Sequence, residues 1–521
     1  MDYAWRLLCD AGIDRINDDP DILNILGRLL KDRALCMHGT ERTHLLEESA
    51  NAYIRASKLK KATYPLINAA TLLMLTGRKE QAQAIAYEVL LLLESDVGKS
   101  ETPYYRAATE AEALLLLGNI SGAKAALKKA MTKAPHAFAD HASTLRQFSL
   151  ILTETGADKT WLEAFRPPRS LHYAGHMAMA ADNPDISQKI RHMINTENIG
   201  YGYGALAAGA DICIAEALLE SGAELHLILP LEPDIFREVS VACYGDNWAG
   251  RYDEILLSAD SIRSVGAPPE QLTAPILQLA AEVAMGCAVM QANTLMTDAV
   301  QILILDQNTT TQSDTGSSAW IQSAWAKHSR RQYIIESARI HPPAPHVSAS
   351  MQTPKTFCLA AMLRVARPDP DPLPLSAEIV HSLFSAWSKG PAPLFPPQWT
   401  GNAVTVAFDT PEHAAEAALN AMQALSDAAD ISIAGHYGIV EQVTDPFSHG
   451  VILLGSGAAW PERIVRKTPS GTIHLTENFA AALHAGSIQT QTGTEYIGEI
   501  SGTSVQNTIR LFTLTRCPSQ I

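Results

Sequence analysis

The chain has 521 residues, more than one hydrophobic core can organise, so roughly two to four domains are expected. Its 47% hydrophobic and 18% charged content is that of a globular protein, and its net charge of −15 argues against a general affinity for nucleic acid or anionic lipid. Lys58, Lys60 and Lys61 form a local basic group that reads more simply as a solvated helix face.

The seven cysteines, Cys9, Cys36, Cys213, Cys243, Cys287, Cys358 and Cys517, show neither CxxC nor Cys/His ligand spacing. Free thiols in a reducing cytoplasm are the expectation, with no metal site. No charged-then-apolar leader opens the sequence, and no run of roughly 18 apolar residues is expected to span a membrane.

From Asp21 to about Thr153 apolar residues recur at spacings of three and four, the signature of amphipathic helices. "TLLMLTGRKEQAQAIA" from Thr71 and "EALLLLGNISGAKAAL" from Glu112 resemble each other. Gly77 aligns with Gly118 and Ala82 with Ala123, an offset of about 41 residues. Each unit reads as helix, glycine turn and helix, and stacked units of this kind expose a long face that binds proteins. "ILGRLLKDRAL" from Ile25, with "YPLINAATLLMLTG" and "YYRAATEAEALLLLG", resembles the tetratricopeptide-like TRAFs-binding region of apoptosis-signal-regulating kinases and its bacterial relatives. Gly27, Arg28, Lys31 and Asp32 match one part of that pattern, and Asn68 and Ala69 another. The resemblance implies an all-α, protein-contacting domain over residues 1–160. Read without it, Arg28 and Asp32 are a helix-surface ion pair.

"FRPPRS" marks a boundary. "LHYAGH" reads as a strand ending at Gly175, and three glycines, Gly202, Gly204 and Gly209, then follow within eight residues. Ile212, Ala215, Leu218 and Leu219 share one face of the helix that follows, Gly222 caps it, and "ELHLILP" is a buried strand. The pattern resumes with "AVQILILD", a polar loop with Thr315, Gly316, Ser317 and Ser318, and the helix "AWIQSAWAKH". Alternating strands and helices predict a Rossmann-like α/β sheet over residues 168–340. Ligands of such sheets sit beyond the carboxyl ends of the strands. Glycine loops that open helices there favour an anion, or are tight turns needing positive φ. The spacing is neither GxGxxG nor a Walker loop.

"GALAAGADICIAEALLESGAELHLILP" and "LILD…DTGSSAWIQSAW" resemble the SLOG superfamily, whose Rossmann-like domains bind nucleotides or nucleotide-derived ligands and include the DprA and LOG groups. The resemblance implies a nucleotide or NAD-derived ligand held by Gly175, Gly202, Gly204, Gly209, Asp211, Asp306, Thr315, Gly316 and Ser317. Glu216 is a candidate catalytic carboxylate for cleaving an N-glycoside, or a solvent-facing or capping residue. His176 is a candidate general acid or base, or a hydrogen-bonded structural histidine. The LOG signature PGGxGTxxE is absent, which weakens the hydrolase alternative.

Residues 341–353 read as a linker. Over 354–518, "TFCLAAMLRVA", "GNAVTVAFDTPEHAAEAALNAM", "ISIAGHYGIV", "RIVRKTPSGTIHLTENFAA" and "YIGEI" resemble the class III nucleotidyl cyclase homology domain, an α+β, ferredoxin-like fold. Thr410 and Pro411 mark a helix start within it. The cyclase reaction needs two metal-holding aspartates. Met362 and Asn402 stand at those positions here, and Ala459 stands where the family has an asparagine, whereas Arg463 is kept. These departures imply a vestigial cyclase without activity. The alternative is a residual cyclase in which Asp409 or another acid substitutes. Cyclase domains pair, so a homodimer through this region is expected. Together the three resemblances predict a cytoplasmic signalling or stress-response protein with protein partners, a nucleotide-type ligand and no required cofactor.

Overall fold

The computed structural model describes residues 2–95, 101–177, 179–266, 272–306, 317–340, 356–367, 374–425, 430–447, 449–486, 492–501 and 508–516. The expected linker at 341–353 lies outside them. Two compact units are formed: Met1–Pro167 with Thr294–Met296, and Pro168–Asn293 with Thr297–Ile521.

The first unit is helical: α1 (Asp2–Asp10), α2 (Pro20–Leu35), α3 (Gly39–Leu59), α4 (Thr63–Leu75), α5 (Lys79–Glu94), α6 (Pro103–Leu116), α7 (Ile120–Lys133) and α8 (Phe138–Glu154). The two aligned glycines do the same work. Gly77 (φ +77°) and Gly118 (φ +82°) terminate α4 and α6, and beyond them Arg78 N–H donates to Leu73 O and Asn119 N–H to Leu114 O, each at 2.9 Å. Ala82 and Ala123 are fully buried where the next helix begins. Consecutive helices thus pack as antiparallel pairs, α2 on α3, α4 on α5 and α6 on α7.

One polar residue from each of α2, α4, α6 and α8 joins a chain of hydrogen bonds. Lys31 Nζ donates to Gln147 Oε1 (2.7 Å), Gln147 Nε2 to Glu112 Oε1 (3.0 Å), and Thr71 Oγ1 to the same oxygen (2.6 Å). Burial lowers the Lys31 pKa and raises that of Glu112. Gly27 is a packing glycine, since an added Cβ would lie 2.8 Å from the Tyr53 ring. Arg28 and Asp32 form an exposed i,i+4 pair at 3.9 Å, and Asn68 Nδ2 donates to Tyr64 O within its own helix.

The second unit holds two sheets. The first contains β1 (Arg169–Gly175), α9 (Pro184–Thr196), β2 (Ile199–Gly204), α10 (Ala210–Glu220), β3 (Glu224–Leu229), α11 (Pro233–Ser240), α12 (Asp246–Ser258), β4 (Ser261–Ser264), α13 (Ala274–Thr294), β5 (Ala299–Leu305), α14 (Ser318–Ala326) and β6 (Arg331–Glu336). Its order is β4-β3-β2-β1-β5-β6 and every pairing is parallel. The chain runs outward from β1 to β4, then restarts at β5 on the other side of β1. Strand order therefore reverses between β1 and β5. Both faces of β1 are buried: His172 stacks on Trp325 of α14, and Tyr173 packs against Gly204.

The second sheet follows with β7 (Thr356–Ala366), α15 (Ala377–Trp387), β8 (Gln398–Thr400), β9 (Ala403–Phe408), α16 (Pro411–Ala424), β10 (Ser432–Thr444), β11 (Val451–Leu454), α17 (Ser456–Val465), β12 (Ile473–Thr476), α18 (Glu477–Gly486), β13 (Thr492–Ser501) and β14 (Thr508–Arg516). Its order is β13-β14-β12-β10-β7-β9-β8, with β11 on β10. As the sequence pattern suggests, Thr410 Oγ1 caps α16 by accepting from His413 N.

The two sheets were expected in separate domains but meet within one unit through α13 and α18. Gly286 of α13 comes so close that a Cβ there would stand 1.8 Å from Ala481 O. Arg263 of β4 pairs with Glu477 of α18, which Arg510 also contacts at 3.2 Å. Arg330 donates to the carbonyls of Ala485 (2.8 Å) and His484 (2.9 Å), and Tyr437 OH donates to Glu282 Oε2 (2.6 Å). α13 also corrects the hydropathy reading: it is long and apolar enough to cross a membrane by length and composition. Its apolar surface is instead largely buried within the unit.

Gly286→Ala is expected to force the two helices apart at a cost of about 1–3 kcal/mol or more. A calorimetric melt should show the second unit unfolding several degrees lower, and an unchanged transition would remove this contact from the account of the fold.

Candidate ligand-binding site

In an open parallel sheet the crevice for a ligand lies where strand order reverses, beyond the carboxyl ends of the strands. Here that place is bounded by Gly175 and His176 after β1, the 205–209 turn after β2, and Asp306 after β5.

Gly175 pairs with Ile304, and a Cβ on it would meet Ala210 Cβ at 2.3 Å and Ile304 O at 2.8 Å. The chain must pass here without a side chain for α10 to seat on β1. Gly209 has φ +87° and lies against the carbonyls of His176 and Met177, so it too is required for close approach.

The 205–209 turn departs from the expected phosphate cradle. Gly202 and Gly204 stand in β2 itself, where Leu218 and the Tyr173 ring fill the places their Cβ atoms would take. Their role is packing. Three amides nearest the helix mouth are already bonded: Ala207 N–H donates to Asp211 Oδ2 (3.1 Å), Ala208 N–H to Ser240 O (3.1 Å) and Ala210 N–H to His176 O (3.2 Å). One amide of the α10 start and two of the turn before it are thus engaged by the protein's own acceptors.

What the crevice does hold is a set of buried polar atoms. Asp211 Oδ1, Tyr173 OH and His176 Nδ1 have no hydrogen-bond partner. Burial pushes the Asp211 carboxyl up to about 7, against the opposing pull of the Ala207 and Gly175 amides. Burial likewise raises the Tyr173 phenol and lowers the His176 imidazole. His176 Nε2 donates to Ser337 O at 2.9 Å, in accord with the structural-histidine alternative. Asp306 Oδ2 accepts from Arg339 N–H at 3.2 Å. Ser317 caps α14 through Trp320 N–H, while Thr315 and Gly316 lie outside the described residues.

Glu216 does not stand free as a nucleophile or acid. Arg251 of α12 grips both its oxygens, at 2.6 and 2.5 Å, stacks on Trp248 and also donates to Ala181 O. The carboxylate is engaged in tying α12 and the turn after β1 to α10. Tyr173 and Arg339 escaped sequence reasoning. For Tyr173 a signal existed, because it lies two residues before Gly175 and therefore on the same face of β1.

On the second sheet, Met362 sits in the row Ala407–Met362–His436, is 1% exposed, and belongs to an apolar cluster with Ala360, Val440 and Leu453. Asn402 follows Gly401 (φ +42°) in the turn between β8 and β9. His436 is buried, accepts or donates at Thr476 Oγ1 (3.0 Å), and burial pushes its pKa down to about 3. Gly438 is obligatory beside it, since a Cβ would lie 2.5 Å from His436 Nε2. Arg463 stacks on Trp460 and donates to Ser501 O at 3.2 Å. Asp409 lies past the opposite end of β9 from Asn402 and is bonded by His413 at 2.6 Å. Among the described residues no group of three His, Cys, Asp or Glu could hold a metal ion, and the six described cysteines form no disulfide with one another.

Residues 4–73 match the family described as Tetratricopeptide Repeats-Sensor. No curated protein matches the chain. Solved structures similar to it include the adenylyl cyclase CyaB from P. aeruginosa (10% identity, 31% of this chain and 96% of that one, TM-score 0.25). A dimeric guanylyl cyclase domain of the RhoGC fusion protein from Blastocladiella emersonii (11%, 31% and 98%, TM-score 0.24) is another. A third is an adenylate cyclase from Trypanosoma brucei in its monomeric state (13%, 31% and 90%, TM-score 0.25). At these scores the likeness alone decides nothing.

The raised Asp211 carboxyl has a signed consequence. The folded chain keeps this proton up to about pH 7, whereas the unfolded chain loses it near the ordinary 3.8. Native protein therefore binds more protons between about pH 4 and 7, and its stability falls as pH rises through that window. Asp211→Asn is expected to flatten this decline. In urea unfolding from pH 4 to 7.5, the variant's advantage over wild type should grow with pH; a constant difference would mean the carboxyl is not held protonated.

Proposed function

We propose that this chain is a regulatory signalling protein that contacts protein partners through its helical repeats and senses a nucleotide or NAD-derived ligand at the parallel sheet. The vestigial cyclase-like sheet adds no catalysis in this reading. The observation that carries it is the crevice floor, where Asp211, Tyr173 and His176 hold unpartnered polar atoms at the reversal of strand order. Buried polar groups are nearly always bonded, and three exceptions gathered in one crevice call for a group that partners them. A ribose hydroxyl supplies both donor and acceptor to such groups. The phosphate end is assigned to the start of α14 beside Ser317, because the Ala207, Ala208 and Ala210 amides are engaged within the protein.

The SLOG-type identity of the parallel sheet and its hydrolase alternative stand differently. With Glu216 held by Arg251, hydrolysis of an N-glycoside lacks its candidate carboxylate, so binding is the stronger reading. Inactivity of the second sheet is supported by Met362, an apolar side chain inside an apolar cluster, which offers a hard cation no ligand.

Titration calorimetry of the whole chain against nucleoside mono-, di- and triphosphates, NAD and ADP-ribose should find at least one saturable ligand. Asp306→Ala should weaken it, and Arg28→Gln on the exposed face of the helical repeats should leave it unchanged. Silence across the panel rejects the sensor reading. The same protein with ATP or GTP and manganese should yield no cyclic nucleotide by mass spectrometry, and cyclic product would restore the cyclase alternative.

Pairing with a second copy is proposed at the β10–β11 hairpin. Val443, Ile452 and Leu454 are partly exposed there, and Phe447 is 93% exposed. An apolar tip of this kind is stable in water only singly or when covered. Sedimentation velocity should show a concentration-dependent dimer that Phe447→Ser shifts to monomer; equal distributions for both proteins would place any dimer contact elsewhere.

A further inference from the structure

The face of α13 turned to the second sheet carries Gln278, Glu282 and Gly286, each about one turn from the next. Gly286 meets Ala481 of α18. Glu282 meets β10: Tyr437 OH donates to its Oε2 at 2.6 Å, and Gln278 Nε2 donates to its Oε1 at 2.8 Å. A second carboxyl closes the same corner. Glu412, in the first turn of α16, lies against Gly486 at the end of α18 and leaves no room there for a Cβ. The two acids thus come from elements of different sheets, and both act on the Tyr437 hydroxyl.

The charges around this corner are mostly of one sign. Glu282 is bonded by two neutral groups and has Glu412 as a like charge. Glu412 is bonded by Thr410 and has Asp409 as a further like charge. His413 acts on it from the opposite side of the balance, but Asp409 already bonds that imidazole at 2.6 Å. On α18, Glu477 is paired with Arg263 and Arg510 at the other end of the helix, and His484 bonds Thr494 Oγ1 at 2.8 Å beside Arg330. His436 points to the other face of β10, Glu416 of α16 is exposed, and Cys287 is the other ionisable side chain of α13. Burial raises both carboxyls above their ordinary 4.5. Two facing carboxyls in such a place resist ionising together.

We propose that Glu282, Tyr437 and Glu412 form a proton-operated latch between the two sheets, closed while the two carboxyls hold a proton between them and loosened when both ionise. The closed joint keeps protons that the parted one gives up near the ordinary 4.5, so rising pH favours parting. Gly286 and Ala481 lie one turn along α13 from Glu282 and part with it. Proton activity thus decides whether the two sheets move as one body. The latch needs no ligand and is independent of the crevice of the parallel sheet.

A native thiol reports the opening. Cys287 follows Gly286 on α13 and is buried, so it reacts when α13 parts from its neighbours, whereas Cys243 is exposed and gives a reference within the same molecule. The full chain is alkylated with iodoacetamide from about pH 5.5 to about 8.5, and peptide mass spectrometry reads the rate at Cys287 relative to Cys243. That ratio is expected to rise by about tenfold or more across the range, since each proton released on opening contributes up to about tenfold per pH unit. Glu412→Gln and Glu282→Gln should each hold the rise below about threefold, because neither leaves two acids to repel. Circular dichroism checks that both variants fold, and Glu412→Gln carries the comparison if Glu282→Gln does not. A ratio independent of pH in the wild-type chain overturns the proposal without any variant. A tenfold rise kept in either folded variant assigns the opening to other groups and overturns it equally.

Discussion

The second unit depends on one close approach. Where α13 meets α18, Gly286 lies against the carbonyl of Ala481 with no room for a single carbon. Two helices approach this closely only where a side chain is missing, because interiors are packed as densely as organic crystals. The approach brings a parallel and a mixed sheet within reach of shared polar contacts. Glu282 of α13 receives the Tyr437 hydroxyl of the central strand β10, and Arg263 at the end of β4 reaches Glu477 at the start of α18. Each is a buried group whose partner lies on the other sheet, so neither sheet satisfies its own polar inventory alone. The unit folds as one body for that reason, although the sequence reads as two segments joined by a linker.

The repeats of the first unit were legible in the sequence for a simple reason. Gly77 and Gly118 occupy positive φ at identical helix ends, and that demand leaves a glycine at a fixed interval. The polar chain through Lys31, Thr71, Glu112 and Gln147 was not legible. Its members differ in chemistry and share only a position on successive helices, so no residue type repeats. A buried Lys–Glu couple linked by neutral groups fixes register more surely than it adds stability.

The glycines after β1 show the opposite case. Three glycines in eight residues, from Gly202 to Gly209, suggested a loop folded around phosphate. Gly202 and Gly204 instead answer to Leu218 and Tyr173, whose side chains need the space, and only Gly209 has the positive φ a turn requires. Composition cannot separate these causes, because a glycine that yields space and a glycine that bends the chain are written with the same letter. Glu216 shows a similar limit: its candidate roles were not separable by residue type, and Arg251, 35 residues further on, engages both its oxygens. Strands β3 and β5 were legible because they are largely buried and read as nearly continuous apolar runs.

Both sheets end in a charge problem of opposite sign. On the parallel sheet Asp211 is buried without a cation, and it answers by keeping its proton toward neutral pH. On the second sheet Arg364 has no carboxylate partner among the described residues, and a guanidinium cannot answer that way, because it stays charged throughout the physiological range. The asymmetry matters. A carboxyl can be tolerated as a neutral hydrogen-bonding group and so suits a guest that offers hydroxyls. A guanidinium keeps its charge, and Arg364 stays half-buried with Glu462 supplying part of the opposite charge although Arg466 bonds that carboxylate.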